Sequence, residues 1–301
     1  MRKEYMFIII SGILYGTITP GAQIFLNMGF SLLDVSFYRA FFISLLILPL
    51  FLFRPGYFFS LRMLPFFIVY GLIGGMLETA MFGSLYMGVP VPLVVFFLYT
   101  QPVWTIIIGK FFLKEPIYRK HIMAVIVGMT GVFILLRSWE VKTTESLIGL
   151  ILALFSGFLL SLWVVWGKRS AKFRNHFITT TFGWSFFAAI WLFLFFVIFS
   201  KVYPGRSETL SISLELMISN FKGLIIFAVV AGVLPHLLFY RGLEEVNASS
   251  AGIILLLEPV SATIMAAFLF SESIGISFIA GACLILLSNY FVLIKKQGTA
   301  I

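Results

Sequence analysis

The chain reads as an all-α integral membrane protein whose ten transmembrane helices form two inverted five-helix repeats. Three observations lead there. Of its 301 residues 61% are hydrophobic and only 11% charged, with a mean hydropathy of +1.08, a balance that no soluble domain of this length needs. The apolar residues fall in successive runs of about 20, each enough to cross a ~30 Å hydrocarbon core. Segments of the first half also recur in the second at fixed offsets.

Taken in order, the expected spans are Tyr5 to Leu26, Leu32 to Phe53, Leu64 to Tyr86, Val91 to Phe112, Ile122 to Leu136, Leu147 to Trp166, Phe177 to Phe199, Phe221 to Tyr240, Ala248 to Phe270 and Ile274 to Ile294. Short charged or Pro/Gly segments separate them. With the amino terminus inside, fifteen Lys and Arg residues fall on the inner side and five on the outer, with Arg39 within a span. The positive-inside rule therefore puts both termini in the cytoplasm, in an inner (cytoplasmic) membrane. The same rule accounts for the net charge of +9 without a nucleic-acid partner, since the basic residues sit at helix ends. The first run is too long for a signal core and lacks a small-x-small exit. Cys283 lies in an apolar run with no second cysteine, so a packed thiol is expected.

The repeat is read from order more than from identity. At an offset of 157, residues 89–136 match 246–293 at ten of 48 positions, including Pro102/Pro259, Val103/Val260, Phe111/Phe268 and Glu115/Glu272. The same offset pairs Gly75 with Gly232 and Phe82 with Phe239, and an offset of 145 pairs Gly12 with Gly157 and Phe37 with Phe182. The difference between the offsets falls in the segment Lys201 to Asn220, read as an insertion or a short amphipathic surface helix. The halves are 1–140 and 141–301. Five is odd, so the second half enters the membrane inverted, and a substrate site is expected near the midplane between them.

Each half closes with a Pro-Val pair, a Glu thirteen residues after the Pro, and a helix with small residues: Gly128 and Gly131 in one half, Gly281 in the other. With Glu258 ahead of Pro259 and Arg39 in the second helix, this order resembles the drug/metabolite transporter superfamily, specifically its EamA-like branch, over essentially the whole chain. The resemblance implies alternating-access movement of small metabolites such as amino acids, amines or related compounds, often outward. The first helix departs from the family's common Trp-Gly, having Tyr15-Gly16-Thr17.

Intramembrane polar residues are expensive and mark function by default. Glu258 lies ~15 Å into its helix at 1.5 Å per residue, and is read as a substrate-amine ligand or proton-coupling group, against a protonated carboxyl bonded to backbone freed by Pro259. Its counterpart Gln101, beside Pro102, offers a second polar handle. Glu78 is the other intramembrane acid and the second proton-coupling candidate. Arg39 at ~10 Å and Glu78 at ~12 Å from the outer ends of their helices share a depth. Arg39 is read either as a structural ion pair with Glu78 or Asp34, or as a fork for a substrate carboxylate. His236, beside Pro235, is a hydrogen-bonded packing residue or a substrate contact. Of the aromatic residues Tyr15, Tyr99, Trp104, Trp163, Trp166 and Tyr240, Tyr99 and Trp163 are the expected walls of a binding site. Gly16, Pro20, Pro102 and Pro259 are candidate hinges, and Gly12, Gly16 and Pro20 form a small-residue stripe on the first helix. The loop acids Glu115 and Glu272, at the ends of corresponding helices, are read as solvated turns, the simpler account, or as cap or gate contacts.

Enzyme motifs are absent: there is no G-x-S-x-G elbow, H-E-x-x-H, P-loop or Gly-rich dinucleotide turn. No catalytic residue, cofactor or metal is expected. The expected partners are a small-molecule substrate, the lipid bilayer and a second copy, should the protein form a homodimer. A membrane channel or non-transporting scaffold is the alternative reading, and an intramembrane hydrolase or lipid-modifying enzyme a more distant one. A channel needs continuous polar lining, whereas polar residues here are sparse and clustered near mid-membrane.

Overall fold

The computed structural model describes residues 3–140, 146–202, 212–271 and 274–294. Their regular elements are helices: α1 (Lys3–Tyr15), α2 (Ile18–Asn27), α3 (Leu32–Phe53), α4 (Leu64–Tyr86), α5 (Val91–Leu98), α6 (Gln101–Leu113), α7 (Arg119–Leu135), α8 (Leu147–Lys172), α9 (Phe177–Val202), α10 (Leu214–Ser219), α11 (Phe221–Ala228), α12 (Leu234–Leu243), α13 (Ala248–Ile254), α14 (Leu257–Phe270) and α15 (Ile276–Leu293). Among the described residues nine helical stretches are long and apolar enough to cross a membrane, and the 17-residue α7 packs along α15. The chain is thus a multi-pass membrane protein. Helices α8 and α9 run past the expected ends at Trp166 and Phe199, to Lys172 and Val202. Of the segment Lys201 to Asn220, residues 203–211 lie outside the described residues, as does Glu272, and the rest includes the short helix α10. Cys283 departs from expectation: it is exposed, on the outward face of α15.

Three expected spans are broken near their middles, and one cause serves all three. A proline cannot donate to the carbonyl four residues before it. Pro20, Pro102 and Pro259 remove the bonds to the carbonyls of Gly16, Leu98 and Leu255, and the breaks fall there: α1 gives way to α2 at Gly16-Thr17, α5 to α6 at Tyr99-Thr100, and α13 to α14 at Leu255-Leu256. A fourth irregularity, the π-helical turn Val229–Val233, lies between α11 and α12. Irregular backbone at membrane depth is tolerated only inside protein or against a cavity. Glycines supply the cover. A Cβ on Gly157 of α8 would stand 2.3 Å from the Phe97 carbonyl oxygen and 3.0 Å from that of Leu98, and a Cβ on Gly12 of α1 would stand 3.4 Å from the Ile254 carbonyl oxygen.

Those two contacts are reciprocal under the offsets of 145 and 157, and others behave alike. Gly131 of α7 lies against the Gly281 carbonyl, while Ser288 Oγ donates to the Ala124 carbonyl at 2.6 Å. Gly128 meets Ser288 as Gly131 meets Ile285. Helix α6 ends in a left-handed residue, Lys114 (φ 55°), and α14 in its counterpart Ser271 (φ 57°).

Two ends of the bundle differ. At the near face, where the amino terminus, the end of α6 and the start of α13 lie, Glu115, His121, Lys168, Ser249 and Ser250 are all buried. At the far face an apolar groove of about 830 Å³ opens among α2, α11 and α14, lined by Thr17, Gly21, Phe25, Phe227, Met265 and Leu269.

Candidate functional site

Between these ends the broken helices converge on one polar cluster. Arg39 Nη2 donates to Glu78 Oε1 at 2.5 Å, and Ser36 Oγ donates to Glu78 Oε2 at 3.0 Å. The guanidinium is therefore committed to a partner on the neighbouring helix, as an arginine at this depth must be. Asp34, the other partner considered for it, is used elsewhere: it completes a capping box with Ser31 at the start of α3 and accepts from the Ser213 backbone N–H at 2.9 Å.

Glu258 stands one residue inside the start of α14, where the break with α13 aims it inward. The Tyr99 side chain, from the matching break between α5 and α6, lies within interacting range of its carboxyl. Arg39 and Glu78 both lie close enough to act on the Glu258 charge. The polar residues of α3, α4, α5–α6 and α14 thus lie near one another, with Arg39 paired to Glu78.

Aromatic rings close the other side. Trp163 of α8 stacks on Phe239 with centroids 5.0 Å apart, and its centroid is 5.7 Å from that of His236. The Tyr15 ring meets His236 edge-on at 5.0 Å. His236 itself is fixed by a 2.7 Å hydrogen bond between Nδ1 and the Gly232 carbonyl, and it stacks on Trp184 at 4.4 Å. That carbonyl belongs to the π-helical turn, so the irregular turn sets the imidazole's position. Behind these rings the Tyr70 hydroxyl donates to the Trp163 carbonyl at 2.9 Å and lies 2.8 Å from the Tyr240 hydroxyl. The indole N–H groups of Trp163 and Trp184 are buried and without a hydrogen-bond partner among the described residues, that of Trp184 lying against Gly74 of α4.

Of the residues singled out in the sequence, the structure brings together Arg39, Glu78, Tyr99, Trp163, His236 and Glu258, with Tyr15 and Tyr240. Gln101 is engaged by its own surroundings. Its Nε2 donates to Thr105 Oγ1 at 2.5 Å and lies against Gly252 of α13, with the residue fully buried. Trp104 bonds Thr100 at 3.2 Å, and Trp166 stacks beneath Arg169 with 5.8 Å from guanidinium to ring centre. The sequence reading passed over Trp184 and Tyr70. A tryptophan in an apolar run carries no signal of its own, although the offset of 145 sets Trp184 at the position of Arg39. Gly16, Pro20, Pro102 and Pro259 all lie at helix breaks. Gly16 is also a close contact: a Cβ there would stand 2.0 Å from Ser261 Oγ. No group of three or more metal-binding side chains occurs among the described residues.

The sequence comparisons bear on this arrangement. The model of the EamA-like transporter family matches residues 2–137 and 147–294. The chain belongs to the EamA-like transporter family. A protein of Archaeoglobus fulgidus described as an uncharacterized transporter is 25% identical over 287 residues, covering 95% of this chain and 94% of its own length. One from Clostridium kluyveri with the same description is 26% identical over 195 residues, 63% of this chain and 59% of its own length. A solved crystal structure aligns over 97% of both chains with a TM-score of 0.75 at 17% identity, which establishes a shared fold alone. This EamA-like chain is accordingly a membrane transporter.

Proposed function

We propose that this transporter moves small metabolites carrying an amine, such as amino acids, amines or related compounds, outward across the cytoplasmic membrane by alternating access at the Glu258 cluster. One observation carries the reading. Arg39 is bound to Glu78, while the second acid, Glu258, lies beside the Tyr99 and Tyr15 phenols with no ion-pair partner among the described residues. An intramembrane carboxyl so placed is matched by a substrate ammonium or by a proton, and the neighbouring rings add cation–π attraction.

The ten spans divide into halves 1–140 and 141–301, related as inverted repeats, with both termini cytoplasmic. The reciprocal contacts of Gly12 with Gly157 and of α7 with α15 support this, as do the two segments matched by the family model. Transport then consists of the two halves rocking about the broken helices, with Gly16, Pro20, Pro102 and Pro259 as hinges. Glu258 and Glu78 are the proton-coupling groups.

Uptake and efflux of radiolabelled amines and amino acids in proteoliposomes test the reading. Wild type should move at least one such solute, and Glu258→Gln should reduce that movement by at least tenfold. A folded protein that moves none of them in either direction sinks the proposal. Coupling is read separately: an imposed pH gradient should drive wild type and leave Glu258→Gln unaffected, and equal responses would remove Glu258 from the proton path.

A further inference from the structure

The near face holds a second buried carboxylate that the substrate cluster does not use. Glu115 follows the left-handed cap Lys114 at the end of α6, where the sequence allows a solvated turn or a cap or gate contact. It is 7% exposed. Its Oε1 accepts from the Ala248 N–H at 2.9 Å, and its Oε2 accepts from the Ser249 N–H and hydroxyl, both at 3.3 Å. These are the first N–H groups of α13, the helix that leads to Glu258. A carboxylate there satisfies donors that the helix cannot use and meets the positive end of its dipole.

Around this bond, ammonium groups cap carboxyl ends. Lys172 Nζ of α8 donates to the Leu113 carbonyl at the end of α6 at 2.5 Å. Lys120 Nζ of α7 reaches the Val292 and Ile294 carbonyls at 3.4 and 3.3 Å. Glu115, Lys172 and Lys120 each join an element of one half to an element of the other. Ser250, next along α13, is buried behind the contact and paired with His121 Nε2 at 3.3 Å. The far face offers an open groove instead.

We propose that Glu115 is the latch of the near-face gate: its carboxylate holds the start of α13 against the end of α6, and this contact must part for the site to open on that side. The proposal rests on the alternating-access reading, but its test needs no transported solute. In a Cys283→Ala background, Ser250→Cys reports the near face and Thr17→Cys the far groove, each labelled with a membrane-impermeant maleimide in detergent. Adding Glu115→Ala should raise the Ser250→Cys labelling rate about tenfold or more, the population shift expected from losing a charge-assisted hydrogen bond. The Thr17→Cys rate should not rise. Glu115→Gln, which keeps an acceptor without the charge, should fall between wild type and Glu115→Ala. An unchanged Ser250→Cys rate in the Glu115→Ala protein overturns the latch, and so does a Thr17→Cys rate that rises in step, since the fold would then merely have loosened. A preparation that moves no solute but shows the selective rise would sink the transport reading and leave the latch standing.

Discussion

The breaks at Pro102 and Pro259, two of the three, have the same backbone and opposite contents. In both, a proline frees the carbonyl four residues back, the helix restarts at once, and a glycine from the other half lies over the gap. At the second break the residue before the proline is Glu258, beside Tyr99 and within range of the Arg39–Glu78 pair. At the first it is Gln101, fully buried between Thr105 and Gly252. The repeat conserves the place where backbone is disturbed, and the side chain placed there decides whether the disturbance serves packing or chemistry. One break holds a buried amide and the other a carboxyl.

The largest expected effect lies where the charges are paired. Arg39→Ala should destabilise the protein by roughly 3–5 kcal/mol, because the Glu78 carboxylate is left buried without its cation. Arg39→Met combined with Glu78→Met should recover most of that loss, since an apolar pair of similar volume removes both desolvation costs. Melting temperatures in detergent read both. If the single and double variants melt together, the pair is not what holds Glu78 in the interior, and the contrast between paired and unpaired acids loses its footing.

A smaller effect separates the two glycine covers. A Cβ at Gly157 would sit 2.3 Å from the Phe97 carbonyl oxygen, well inside contact, whereas at Gly12 the nearest atom is 3.4 Å away. Gly157→Ala should therefore cost about 1–3 kcal/mol through overpacking. Gly12→Ala should be neutral, or stabilising by up to about 1 kcal/mol through helix propensity. Equal costs measured by thermal shift would mean that the two breaks are clasped alike.

How far the sequence carried this picture depends on what each feature needed to know. The breaks were legible because a proline acts on a carbonyl at a fixed distance along its own helix. The Arg39–Glu78 pair was legible because depth follows from counting residues at a fixed rise. Neither argument requires knowing which helix is next to which. The placement of Gln101 does require it: its slot exists because Gly252 on α13 leaves room for an amide, while the offset sets Val95 at the matching place on α5. For Glu115 the sequence left a cap contact and a solvated turn both open for the same reason, its partners lying more than 130 residues away. Trp184 stayed hidden because aromatic residues at lipid-facing and interior positions look alike in a chain with 36 Phe.

The smallest effect is the sharpest test of the opening contrast, because it requires a residue matched to Glu258 to matter little. Gln101 donates from Nε2 to Thr105, while its Oε1 is buried without a partner among the described residues. The Thr105 hydroxyl has another use, donating to the Gln101 backbone carbonyl at 2.9 Å. Gln101→Met therefore removes a buried acceptor that gains nothing and strands no donor. It should change stability by less than about 1.5 kcal/mol, as volume-conserving core exchanges do, and transport should persist at a rate within about twofold of wild type. Gln101→Glu places a carboxylate in the same slot with no cation, and the cost of burying it should lower the melting temperature clearly. If Gln101→Met instead abolishes transport in a protein that melts normally, Gln101 acts with Glu258 on the substrate. The two breaks would then be paired handles, and the contrast between them would fall.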